Sequence, residues 1–328
     1  MMAKASRGQR ILLIGLLTIA LMAPPTLLII SGQPGLASLF VYGGAIGMAA
    51  IFYDLRLAVA VSFAAGAAGV VAASLSSSPL PGAIFFGLLT GGCALTARRG
   101  LHSPVLMIPV FISFVLVAPP RLADASLLVS NIVVGVVLAL GGLWLTLVAR
   151  ILFGRPTGMS DRQRFSTAAS VGYGLVMGIV LGIAAWVVLT EAKFHQGAWL
   201  LLTLIMVMQP SPHDTLTKSL QRLGGTLTGG AVAFILILLG LGTPYSFLVG
   251  GLLLFAAFVL RFALKRPYWE FVGALTPAII LLDAQGGDGI KIAEDRVVFT
   301  AIAVVVAILI ALSVKALLLW KAPQAESA

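Results

Sequence analysis

Residues 195–230, HQGAWLLLTLIMVMQPSPHDTLTKSLQRLGGTLTGG, place polar groups at helical spacing between apolar runs. His195, Trp199 and Thr203 follow one another at intervals of four, on one face of a helix. They offer an aromatic surface with hydrogen-bonding groups at its flanks, suited to a flat ligand. The alternative is that Trp199 anchors near the outer membrane interface and His195 is solvated. Arg222, Thr226 and Gly229 share a face of the next helix, where the guanidinium could draw an organic anion by charge and bidentate hydrogen bonding. It could equally be an interfacial anchor or a partner of Asp214. Between the two helices, Gln209, Pro210 and Pro212 predict a break. The apolar part, residues 197–209, covers only ~20 Å at 1.5 Å per residue, short of a bilayer core. Its end should leave backbone carbonyls unpaired, which is tolerated where protein or a water-filled cavity surrounds them.

Three carboxylates are candidates for proton coupling. Glu270 lies a few residues into a span after Pro267-Tyr268-Trp269, and Asp54 and Asp214 stand at the ends of matching helices. An ionisable group inside a span needs a partner or a proton, and a partly buried carboxylate can exchange protons near neutral pH. Glu270 could instead pair with Lys265 or Arg266. The sequence has no Gly-x-x-x-x-Gly-Lys-Ser/Thr, no His-Glu-x-x-His and no Gly-x-Ser-x-Gly, so ATP hydrolysis and the common hydrolase chemistries lack their groups. No enzymatic action, cofactor or metal is expected. The single cysteine, Cys93, cannot form an intrachain disulfide and follows Gly91-Gly92, where a small residue suits close helix packing.

The elements that must position these groups are membrane helices. Of 328 residues, 60% are hydrophobic and 10% charged, and the mean hydropathy is +1.09. That excludes a soluble enzyme, a nucleic-acid binder and a disordered regulator, despite a net charge of +10. Apolar runs predict about twelve spans, near 11–31, 35–53, 57–75, 81–97, 104–118, 127–150, 171–190, 197–209, 220–241, 244–264, 267–283 and 297–319. The expected class is an all-α integral membrane protein with no soluble domain and an uncleaved first helix. Glycines recurring every four residues, Gly174-Gly178-Gly182, Gly43-Gly47, Gly87-Gly91 and Gly225-Gly229, predict close helix approach.

Arg121, Lys193, Lys291 and Arg296 fall on one side of this arrangement, beside Asp124, Glu191, Asp283, Asp288, Glu294 and Asp295. The remaining 17 of the 21 basic residues fall on the other, with both termini. The positive-inside rule makes that side cytoplasmic. A weak repeat at an offset of about 160 to 170 residues aligns Gly35 with Gly197, Asp54 with Asp214, and Arg98-Arg99 with Lys265-Arg266. It predicts two parallel six-helix halves, residues 1–153 and 171–328, joined by a cytoplasmic linker at 154–170, with a pathway at their interface.

Trp199, Thr203, Gln209-Pro210, Thr215, Arg222, Gly225-Thr226 and Gly229 together resemble the signature of the fusaric acid resistance (FUSC) family, which includes aromatic acid exporters. The resemblance is clearest over residues 195–235 and extends to 267–283 and to Asp295-Arg296. It implies a multi-pass protein of the bacterial inner membrane that exports aromatic carboxylic acids or related toxic organic anions, driven by the proton gradient. The implied partners are a small organic acid and the lipid bilayer, with no nucleic acid; a homo-oligomer or a periplasmic adaptor is compatible. Many similar members carry a large soluble domain after each membrane half, and this sequence has neither. A passive organic-anion channel and a non-transporting membrane scaffold are the competing readings.

Overall fold

The computed structural model describes residues 7–122, 125–154, 163–191, 196–240, 246–283 and 289–321, and these form helices and short connections. Helices occupy the apolar runs: α1 (Arg7–Ile30), α2 (Pro34–Ile51), α3 (Leu55–Leu75), α4 (Pro79–Leu95), α5 (His102–Val105), α6 (Met107–Val117), α7 (Leu127–Phe153) and α8 (Thr167–Thr190). They continue with α9 (Ala198–Val207), α10 (Pro212–Leu238), α11 (Ser246–Phe258), α12 (Tyr268–Asp283) and α13 (Gly289–Lys321). Proline sits in the first turn of α2, α4 and α10, where its missing N–H costs nothing and its fixed φ suits the helix. Ser126 and Ser166 cap α7 and α8 by accepting hydrogen bonds from Val129 N–H and Ala169 N–H.

Eight of these helices are long and apolar enough to cross a membrane. The other predicted spans are shorter apolar helices of 10–17 residues, or roughly 15–25 Å at 1.5 Å per residue. The chain is thus a multi-pass membrane protein whose secondary structure, among the described residues, is helical. Two helices begin earlier than their apolar runs, α10 at Pro212 instead of near 220 and α13 at Gly289 instead of near 297. Hydropathy registers a span's apolar stretch, and the polar first turns of α10 and α13 fall below it although they are helical.

Contacts divide the chain into two compact units, Met1–Ala198 and Trp199–Ala328. In the first, α7 packs along α2 and α3, and α4 packs along α8. A Cβ placed on Gly87 would lie 2.7 Å from the Gly178 carbonyl oxygen, and one on Gly91 2.9 Å from that of Gly174. Only hydrogen at these positions lets α4 and α8 come so close. The same contact puts α8 with the first unit, whereas sequence position alone starts the second half at residue 171. In the second unit α10 packs between α12 and α13, and α11 lies on α12. Gly225 and Gly229 of α10 meet the carbonyls of Trp269 and Gly273 in α12.

Candidate functional site

The predicted break is present: α9 ends at Val207 and α10 starts at Pro212. Its backbone groups are not left open, however. The Gln209 side-chain amide donates to the carbonyls of Met206 (3.3 Å) and Met208 (2.9 Å), and Lys218 Nζ donates to Gln209 Oε1 at 2.8 Å. Thr215 Oγ1 accepts from Gln209 N–H at 2.9 Å and donates to the Ser211 carbonyl at 3.1 Å. One amide and one hydroxyl from the segment itself thus satisfy groups that the two prolines expose.

Above the break, α9 buries Trp199 (5% exposed) and, one turn on, Thr203. Trp199 is therefore no exposed interfacial anchor. The Arg296 guanidinium of α13 lies over the indole with its carbon 3.8 Å from the ring centroid, and Arg296 is 3% exposed. A cation on an indole face gains from the ring quadrupole, most strongly when desolvated. The Thr203 hydroxyl is buried with no hydrogen-bond partner among the described residues.

A second buried arginine belongs to α10. Arg222 is 4% exposed and one Nη donates to the Tyr268 hydroxyl of α12 at 3.4 Å. Its Nε, and the Ser219 and Thr226 hydroxyls on the same face, have no hydrogen-bond partner among the described residues. Among those residues no carboxylate pairs with Arg222, Asp214 included. A buried guanidinium with an unused donor carries a desolvation cost that an anionic ligand would offset.

Trp199 and Arg222 have different partners, Arg296 of α13 and Tyr268 of α12. Gly230 of α10 lies against Val297, the neighbour of Arg296, so the level of Arg296 is displaced from that of Arg222 by about eight residues of α10, roughly 12 Å at 1.5 Å per residue. The second unit thus has two arginine stations, one stacked on Trp199 and one held by Tyr268. Sequence reading placed Arg296 in an outer loop because the last apolar run begins after it. Helical periodicity could have found it: Arg296, Thr300, Ala303 and Ala307 form one buried stripe of α13.

The carboxylates occupy more ordinary surroundings. Glu270 accepts a hydrogen bond from Arg266 Nε at 2.8 Å, one turn earlier in sequence, and is 17% exposed. Asp214 is half exposed with His213 Nδ1 3.8 Å away, and Asp54 is exposed at the start of α3 without capping it. His195, the acidic residue Asp124 and residues 155–162 of the linker lie outside the described residues. Among the described residues no group of three or more His, Cys, Asp or Glu could hold a metal ion.

Residues 189–310 match the family described as fusaric acid resistance protein-like. The matched stretch contains α9 to α12, the start and middle of α13, and both arginine stations. No curated protein and no solved structure matches the chain.

Proposed function

We propose that this chain, whose residues 189–310 form a fusaric acid resistance-like membrane domain, is an inner-membrane exporter of organic anions, with aromatic carboxylic acids as its substrates and the proton gradient as its energy source. The observation that carries this reading is the pair of buried arginines, one of them stacked on a buried tryptophan, inside the matched domain. A guanidinium answers a carboxylate and an indole answers an aromatic ring, so each residue type suits one part of the ligand. Spacing the stations roughly two helical turns apart gives an anion successive resting places and avoids a single deep trap. Trp199, Thr203, Arg222 and His195 contact substrate in this reading, and Arg296 joins them.

Twelve crossings in two parallel six-helix halves with both termini in the cytoplasm form the proposed frame. Its support is the basic asymmetry and the likeness of packing in the two units: α7 lies on α3 as α13 lies on α10, and α6 lies on α3 as α12 lies on α10. Proton coupling is assigned to Glu270, Asp214 and Asp54. The exposed positions of Asp54 and Asp214 and the Arg266 pairing of Glu270 favour one competing reading, a passive organic-anion channel. The deciding experiment loads vesicles holding the purified chain with a panel of aromatic acids and follows efflux with and without an uncoupler. Uphill efflux that the uncoupler stops is expected. Downhill flux that follows voltage alone establishes the channel, and absence of flux for every acid establishes a scaffold.

A further inference from the structure

At the end of the first unit where α4 finishes and α8 begins, Arg98, Arg99, Leu101 and Arg164 line a cavity of about 460 Å³. The 3-10 turn Thr96–Arg99 carries the first two arginines off the end of α4, and Gly100, at φ 67°, turns the chain behind them. Arg164 approaches from the segment leading into α8. It is held there by its neighbour: Phe165 N–H donates to the Ala97 carbonyl at 3.3 Å, and the Phe165 ring meets His102 edge-on at 5.8 Å. His102 in turn meets Tyr173 of α8 edge-on at 6.3 Å. Three exposed arginines are thus gathered around one volume by the backbone and ring contacts of their neighbours, far apart in sequence. Among the described residues no carboxylate forms an ion pair with any of them. Like charges gathered together repel, and an anion with several oxygens relieves that repulsion.

We propose that this cavity binds a phosphate group, presented by the headgroup of an anionic phospholipid. Guanidinium forks match phosphate oxygens in pairs, which ammonium groups do not. A lipid is favoured over free phosphate because the same two helices turn large apolar side chains outward, Leu88 and Leu95 from α4 and Val171 and Leu175 from α8, as surface for acyl chains beside the cavity. Basic pockets between membrane helices hold anionic headgroups in this way. The cytoplasmic location of this end rests on the topology proposed above; the binding itself does not.

The test uses the purified full chain in detergent with added phosphatidylglycerol, phosphatidylcholine or inorganic phosphate, read by native mass spectrometry. Phosphatidylglycerol should be retained about tenfold over phosphatidylcholine. The combined Arg98→Gln, Arg99→Gln and Arg164→Gln variant should lose that preference. Removing three cations elsewhere, by Arg56→Gln, Arg150→Gln and Lys265→Gln, should leave it intact. A phosphate adduct lost in the first variant, without any lipid preference, supports the phosphate site and assigns it to a free phosphate. Equal retention by the chain and its first variant, or equal loss in both variants, overturns the proposal. No transport is read, so this result and the exporter reading fail separately.

Discussion

Arg296 and Trp199 show how a residue's neighbour changes what it can do. An arginine at the entrance of a span is usually a solvated anchor, yet here the guanidinium lies on a buried indole. The stack sets the plane of the guanidinium against the indole face. Trp199→Ala is therefore expected to weaken aromatic acid export about three- to tenfold in apparent affinity, the equivalent of ~0.7–1.4 kcal/mol, and to affect aliphatic acids less. Concentration-dependent efflux of both classes measures this. Arg296→Lys and Arg222→Lys keep the charge and lose the planar fork, so neither should restore full activity. Wild-type efflux in all three variants would reduce these positions to helix packing. The carboxylates permit a separate test. Asp214→Asn and Glu270→Gln each keep the shape and remove the titrating group, so proton movement should disappear while substrate binding remains measurable. Simultaneous proton and substrate fluxes decide it, and unchanged coupling in both variants places the proton site elsewhere or removes it.

At the scale of elements, two devices set helix positions. Thr215 ties the end of α9 to the start of α10, and Thr215→Val would strip the Gln209 N–H of its acceptor. Leaving that donor unmatched costs about 1–3 kcal/mol, so thermal unfolding in detergent should move to a lower temperature. Thr215→Ser, which restores the hydroxyl, should recover most of the difference. The glycine contact of α4 with α8 gives a second contrast. Gly87→Ala forces a methyl to 2.7 Å from the Gly178 carbonyl oxygen, while a methyl on Gly92 meets nothing within 4 Å. The first should destabilise by about 1–3 kcal/mol, and Gly92→Ala should be neutral or slightly stabilising. Comparing the two midpoints tests whether the glycine face brings the helices together.

For the whole molecule, the concentration of Lys and Arg on one side of the spans predicts orientation. Reporter fusions at Ser160 and at the C-terminus should both report cytoplasm, and a periplasmic signal from either would refute the proposed frame. The long helices and the short ones have different tasks in that frame. Eight helices are long enough to hold the chain in the bilayer. Short α9 is mostly buried, as are Arg222 and Arg296, while the break at 209–212 is half-buried.

The sequence by itself determined the membrane class, the positions of the helices and the helix faces that approach closely. Apolar run length, proline and glycine are local quantities, and helical periodicity converts them into faces without reference to any partner. The break at Gln209-Pro210 and the small-residue faces of α4, α8 and α10 were legible for that reason. Tertiary structure alone decided which faces meet. It gave Trp199 to Arg296 and Arg222 to Tyr268, and it packed α8 on α4. Each of the two side-chain pairings joins helices separated by other spans. Partner choice of this kind follows from how side chains fill the space between packed helices, a property that no single segment carries.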